Sequence, residues 1–159
     1  STTIVGQNWG AGKLERARSG VRKTLFISLG ITAVLAGLLM LLSRTALSFF
    51  GNDEATLEYG AYFVKVISPF YVLICFNQVF GGALRGIGKS TAPMILMLFS
   101  FVLIRQTYLF VIKNFFGNPL TGIAVAYPVG WAMCSLLLTI YYRTTILGKR
   151  SAAPQAEQA

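Results

Sequence analysis

The sequence is 159 residues long, 55% hydrophobic and only 12% charged, with a mean hydropathy of +0.64 and a formal net charge of +9. Soluble domains carry about 25% charged residues; a chain with so few cannot surround its core with a solvated shell, which excludes an ordinary soluble globule. The absence of histidine removes the commonest general base and metal ligand, while Cys75 and Cys134 lie in apolar runs as small packing residues, with no disulfide framework to be argued from them.

In chain order, the opening residues 1–6 are too short to span a bilayer and read as the end of a lost helix; with a basic loop they make up residues 1–23. No basic n-region or cleavage site precedes the first apolar run, so no signal peptide is expected, and an opening at Ser1 suggests a fragment of something longer. A hydrocarbon core about 30 Å thick requires about 20 apolar residues in a helix. Four segments meet this requirement and are predicted as transmembrane helices: 24–50, 57–85, 91–116 and 120–143. The predicted fold class is therefore an all-α integral membrane protein, a polytopic bundle of four transmembrane helices. Turn chemistry separates the spans at Phe49–Asp53, at Gly86–Ser90 and at Phe116-Gly117-Asn118-Pro119. Residues 144–159, small and polar toward the end, are expected to form a disordered cytoplasmic tail.

The basic residues sort by side. Lys13, Arg16, Arg18, Arg22, Lys23, Arg85, Lys89, Arg143, Lys149 and Arg150 share one side if there are four crossings, against Arg44 and Lys113 on the other, accompanied by Asp53, Glu54 and Glu58. This asymmetry predicts both ends on the cytoplasmic side of a multi-pass protein of the cell membrane. The positive charge is thus a topology signal, and no nucleic-acid partner is expected; membrane lipids are, with Arg16, Arg18 and Arg22 set against anionic head groups. Phe49, Phe50, Tyr59, Tyr62, Phe115 and Phe116 near one boundary, and Tyr141 and Tyr142 near the other, fit interfacial aromatic belts.

Two stretches imitate a phosphate-binding loop. Gly82–Ser90 ends in Gly-Lys-Ser, but Ala83 stands where the pattern requires glycine, and the stretch follows a membrane-length helix instead of a strand. Gly6–Lys13 fails similarly at Gln7. Both read better as tight turns between helices.

These stretches also carry a family resemblance. Val5-Gly6-Gln7-Asn8-Trp9-Gly10-Ala11-Gly12-Lys13 with Glu15-Arg16-Ala17, then Gly82-Ala83-Leu84-Arg85-Gly86-Ile87-Gly88, then Tyr127-Pro128-Val129-Gly130-Trp131, resemble in order the signatures of multidrug and toxic compound extrusion (MATE) transporters. The resemblance implies the carboxy-terminal part of the second lobe of a twelve-helix, two-lobe antiporter. Its implied partners are the missing amino-terminal lobe and small amphipathic or cationic substrates. It implies export by alternating access and no enzymatic activity or cofactor, with H⁺ or Na⁺ as coupling ion. The ion's site is not identified here, because where some relatives carry a coupling carboxylate the stretch from Ile74 to Gln78 offers only neutral groups. The alternatives are a lipid-linked saccharide flippase of the same superfamily and a non-transporting membrane subunit or remnant.

Within the spans, polar residues stand out because each is costly in hydrocarbon. Arg105 lies about 15 Å of helix from the end of its span, too deep to snorkel fully, so it faces the bundle interior or a wet cavity. There it either bonds backbone carbonyls of adjacent helices or lines a cavity, with Gln106, Thr107 and Tyr108 extending the patch. Asn77 and Gln78 form a second patch, with Tyr71 on the face of Gln78. The cavity or substrate-lining candidates are therefore Arg105, Gln106, Tyr108, Asn77, Gln78 and Tyr71; no catalytic or metal site is expected. Pro69 and Pro128 are the hinge candidates, since each removes a helix hydrogen bond. Gly122, Ala126, Gly130 and Cys134 form a small-residue packing stripe, and Lys65 is expected to snorkel.

Overall fold

The computed structural model describes residues 1–49, 53–115, 117 and 120–147. The sequence expectations for Phe50, Gly51, Asn52, Phe116, Asn118, Pro119 and residues 148–159 lie outside these. Four helical stretches are long and apolar enough to cross a membrane: Leu14–Ser48, Glu54–Gly86, Thr91–Phe115 and Leu120–Ile146. The protein is an all-α polytopic membrane bundle.

A short helix, α1, covers Thr2–Gly10, and a turn at Ala11–Lys13 leads into α2, Leu14–Ser48. Gly12 makes that turn with φ +70°, a conformation costly for residues with a Cβ. Residues 14–23 are therefore the first turns of the long helix and not a loop. Good helix formers supply the reason, together with Glu15 in the first turn, whose carboxylate pairs with Arg18 at 2.6 Å three residues on.

The second stretch begins with α3, Glu54–Ile67, breaks into a 3₁₀ turn at Ser68–Phe70, and resumes as α4, Tyr71–Gly86. Asp53 caps α3, accepting from the Thr56 hydroxyl (2.6 Å) and backbone N–H (3.0 Å). The hydroxyl bond first, and the N–H bond second, hold the Asp53 carboxyl below its ordinary value of 3.8. Pro69 explains the break, because it lacks the N–H that an α-helical turn needs. The third stretch is α5, Thr91–Leu98, a π-helical segment over Phe99–Ile104, and α6, Arg105–Phe115. The fourth is α7, Leu120–Tyr142, which contains Pro128 and continues as π-helical turns through Arg143–Leu147. Residues 144–147 thus belong to the helix and not to a tail.

The core is concentrated at one end of the bundle. Val5 and Val21 meet Val79, Phe80, Ala83 and Leu84 of α4 and Cys134, Leu138 and Tyr142 of α7 there. Glycines permit the approach of α1. A Cβ at Gly86 would lie 2.6 Å from the Thr2 carbonyl oxygen, and one at Gly6 would lie 3.1 Å from the Gly86 oxygen. Gly82 and Gly86 are therefore the small-xxx-small face of a membrane helix and not a turn; the turn is confined to Ile87–Lys89, with Gly88 at φ +80°. Ser1 adds a bond from its hydroxyl to the Val79 carbonyl at 3.0 Å.

Two other expectations are corrected at this end. Tyr142 is buried and stacks on Phe80 with ring centroids 4.8 Å apart, so it belongs to the core and not to an interfacial belt. Arg18 does not face head groups: its Nη2 donates to the Ile146 carbonyl at 2.8 Å, joining the start of α2 to the end of the fourth stretch. The other end of the bundle is open. No residue of α6 is buried, and Phe49, Tyr59, Tyr62 and Phe115 are exposed.

Candidate functional site

Asn77 and Gln78 are neighbours in sequence but 100° apart around α4, and the structure gives them different roles. Asn77 is buried and bonded across to α7. The Ser135 hydroxyl donates toward its Oδ1 at 3.0 Å and toward the Leu73 carbonyl at 2.9 Å, while Asn77 Nδ2 points at the Trp131 carbonyl at 3.4 Å. Ser135 thus serves as the interhelical partner that an amide in hydrocarbon requires. Gln78 is exposed and, about two turns beyond Tyr71, helps to line a cleft of about 440 Å³ between α2 and α4. The cleft is mostly apolar, with polar points from Ser28, Thr32, Tyr71, Cys75 and Gln78. Cys75 is held by Thr32, with Sγ and Oγ1 3.1 Å apart, and its thiol approaches the Ser28 carbonyl at 3.6 Å.

Tyr71 also borders the bundle's second feature, a run of aromatic rings through its middle. Tyr71 meets Trp131 with centroids 5.7 Å apart, Trp131 meets Tyr127 at 6.1 Å, and Phe63 meets Tyr127 edge-on at 5.7 Å. The run ends at Arg105, whose guanidinium carbon lies 4.0 Å from the centre of the Tyr127 ring. The geometry corrects the expectation of carbonyl bonds. Among the described residues, no carbonyl accepts from Arg105, and its buried Nε has no hydrogen-bond partner. A cation over a tyrosine face is attracted by the ring's quadrupole, by up to about 2 kcal/mol when water is excluded.

Two backbone features place Arg105 there. The π-helical turns at Phe99–Ile104 widen the helix just before it, with the Ser100 hydroxyl donating to the Leu96 carbonyl at 2.8 Å. On the facing helix, Gly130 brings its backbone close to the same turn: a Cβ there would stand in ordinary van der Waals contact with the Ser100 carbonyl oxygen at 3.5 Å and the Arg105 Cβ at 3.7 Å. Ala126, Gly130 and Cys134 are buried, as a packing stripe should be.

The remaining candidates divide. Gln106 is exposed and lines a shallow depression with Thr107, Phe110 and Lys113, away from the aromatic run. Tyr108 is half-buried, without a contact that joins it to Arg105. Pro69 is exposed within its 3₁₀ turn, and Pro128 is buried inside α7 next to Tyr127. Tyr127, Trp131, Phe63, Ser28 and Thr32 were not among the candidates. The i, i+4 spacing of Tyr127 with Trp131, and of Ser28 with Thr32, was the available signal. At the open end, Arg44 pairs with Glu54 and shares a cleft with Glu58 and Lys65. Glu58 therefore lies a turn inside the second helix, which is not free of carboxylates.

A model of the MatE family matches residues 1–111 of this chain. The chain belongs to the MatE family. Similarity to members extends beyond the matched residues. It is 26% identical over 145 residues to a probable multidrug resistance protein NorM of Thermotoga maritima, covering 91% of this chain and 29% of that protein. It is 24% identical over 137 residues to a probable multidrug resistance protein YoeA of Bacillus subtilis, covering 86% of this chain and 30% of that one. A solved structure, described as the inward-facing conformation of a multidrug resistance MATE family transporter of the MOP superfamily, has the same fold. It superposes with a TM-score of 0.87 at 16% identity, over 96% of this chain and 36% of the other. The chain thus spans under a third of the length of those curated MatE relatives.

Proposed function

We propose that this chain forms part of a secondary active exporter of amphipathic or cationic small molecules, working by alternating access in the cell membrane with both ends of the chain cytoplasmic. The observation that carries this reading is the continuous polar and aromatic track from the α2/α4 cleft through Tyr71, Trp131 and Tyr127 to Arg105, inside four helices that are mostly apolar. Rings with electron-rich faces and neutral amides bind flat organic cations without demanding one shape. An ionisable residue within a span, as Arg105 is, is by default a pointer to a functional site.

In this reading, Tyr71, Gln78 and Thr32 face the substrate. Asn77 and Ser135 fix α4 against α7 so that the rings keep their register. The rest of the cavity comes from lengths of protein that the curated relatives have beyond the part this chain matches. Inward flow of H⁺ or Na⁺ drives export. The carboxylates nearest the track, Glu54 and Glu58, sit at the open end with Arg44 and Lys65, so the coupling acid belongs outside these helices. Family membership supports transport over catalysis.

The test is efflux of a cationic dye from vesicles containing the full-length protein, with H⁺ and Na⁺ gradients imposed separately. One gradient is expected to drive efflux. Arg105→Ala is expected to cut the rate about tenfold, in line with an interaction worth up to about 2 kcal/mol. Efflux unaffected by either gradient would remove the antiport reading, and normal efflux by Arg105→Ala at normal abundance would remove Arg105 from the track.

A further inference from the structure

We propose that the outward stripe of α2 is a binding site for an anionic phospholipid, with its phosphate on Arg16, Arg22 and Lys23 and its acyl chains along the apolar residues that follow. The helix is longer than a bilayer requires. Its 35 residues measure about 52 Å, against a hydrocarbon core of about 30 Å. The uncharged run starts at Thr24, so the turns before it stand in the head-group layer as rigid helix.

Two side chains in these turns are committed internally. Arg18 donates to Glu15 at 2.6 Å and to the Ile146 carbonyl at 2.8 Å, which fixes the helix against the end of the fourth stretch and neutralises Glu15. Arg16, Arg22 and Lys23 are left exposed. Helical spacing puts Arg16 and Lys23 in line with Ile27, Ile31 and Val34, while Arg22 and, one turn further on, Phe26 flank that line about 100° around the helix. All four of these apolar residues are exposed. A face that passes from cationic to apolar at the depth where a phospholipid passes from phosphate to acyl chain is complementary to that molecule. It is not complementary to a free phosphate, which has no use for the apolar half. The inference is independent of what the protein transports.

The experiment is a native mass spectrometry titration of the full-length protein in detergent with dioleoylphosphatidylglycerol, dioleoylphosphatidylcholine or inorganic phosphate. Two triple variants are compared with the parent: Arg16→Gln/Arg22→Gln/Lys23→Gln on the stripe, and Arg85→Gln/Lys89→Gln/Arg143→Gln at the same end but off it. The anionic lipid is expected to bind about tenfold more tightly than the zwitterionic one. The stripe variant should lose about tenfold or more in affinity, within the roughly hundredfold that three cations of about 1 kcal/mol each could supply on contact with the phosphate, and the control, which does not touch the bound lipid, less than about threefold. Should the stripe triple fail to fold, Lys23→Gln alone is expected to lose about threefold. Equal losses in the two triples would reduce the effect to diffuse charge. Equal affinity for the two lipids, binding of inorganic phosphate at the same residues, or no lipid bound because another segment covers the stripe would each overturn the proposal.

Discussion

The two ends of this bundle are built on different principles. At the end carrying the basic clusters, Gly6, Gly82 and Gly86 let α1 lie directly on α4, and fully buried Leu84 and Leu138 fill the space behind them. At the other end α6 has no buried residue, and the packing is lighter: Leu57 and Ala61 of α3 and Ala124 of α7 are buried, supplemented by the Arg44–Glu54 pair and the 2.7 Å bond between the Tyr62 and Thr121 hydroxyls. The aromatic run and Arg105 lie between the two. In lipid the hydrophobic effect does not drive helices together, so close packing has to do so. The difference teaches that the two ends should respond unequally to the loss of packing, and each consequence can be measured.

The largest effect is expected from Gly86→Val. Its added carbons meet the Thr2 carbonyl, which is backbone and cannot swing away, so a loss of about 3 kcal/mol or more is expected, seen as several-fold lower abundance in membranes. A normal level would mean that α1 does not dock as described. Next, Leu138→Ala should cost about 2–3 kcal/mol by leaving a cavity, whereas Phe110→Ala at the open end should change stability by less than about 0.5 kcal/mol. Thermal unfolding in detergent compares them, and equal losses would erase the contrast between the ends.

A double-mutant cycle between Arg105→Gln and Tyr127→Leu should return a coupling of about 1–2 kcal/mol; zero coupling would make the ring contact incidental. The smallest effect belongs to the Asp53 cap. Its carboxyl is held below 3.8 by Thr56, so it contributes stability above that pH and loses it as the pH falls through the folded value. Asp53→Ala should therefore lower the unfolding temperature slightly at pH 7 and by less in acid, below the folded value, while Asp53→Asn, which keeps an accepting oxygen without the charge, should retain part of the cap at either pH. Equal shifts at both pH values would show that the charge plays no part.

Much of the fold was legible because membrane helices announce themselves by length and polarity. The four spans, the small-residue stripe on α7 and the inward turn of Asn77 all follow from the cost of polar groups in hydrocarbon. The boundaries were less legible. The helix at Leu14–Lys23 is polar enough to read as a loop, and only its Glu15–Arg18 pair betrayed it. Glycine was read as a turn former at Gly82 and Gly86, where its missing Cβ instead serves packing, a distinction set by a partner helix and not by the local sequence. Arg105 stood out as a charge deep in its span, yet its partner Tyr127 lies 22 positions away on the next helix, and the π-helical segment that precedes Arg105 is marked by no residue pattern. The candidate site was thus legible as residues and not as contacts.

The central claim is that the tight, basic end and the open end lie on opposite faces of a membrane. Labelling of single-cysteine variants with a membrane-impermeant thiol reagent in intact cells tests it directly, since the native Cys75 and Cys134 are buried. Asp53→Cys and Gly117→Cys should react from one side, and Lys23→Cys and Lys89→Cys only after the membrane is opened. Reaction of Asp53→Cys and Lys89→Cys from the same side would contradict the account.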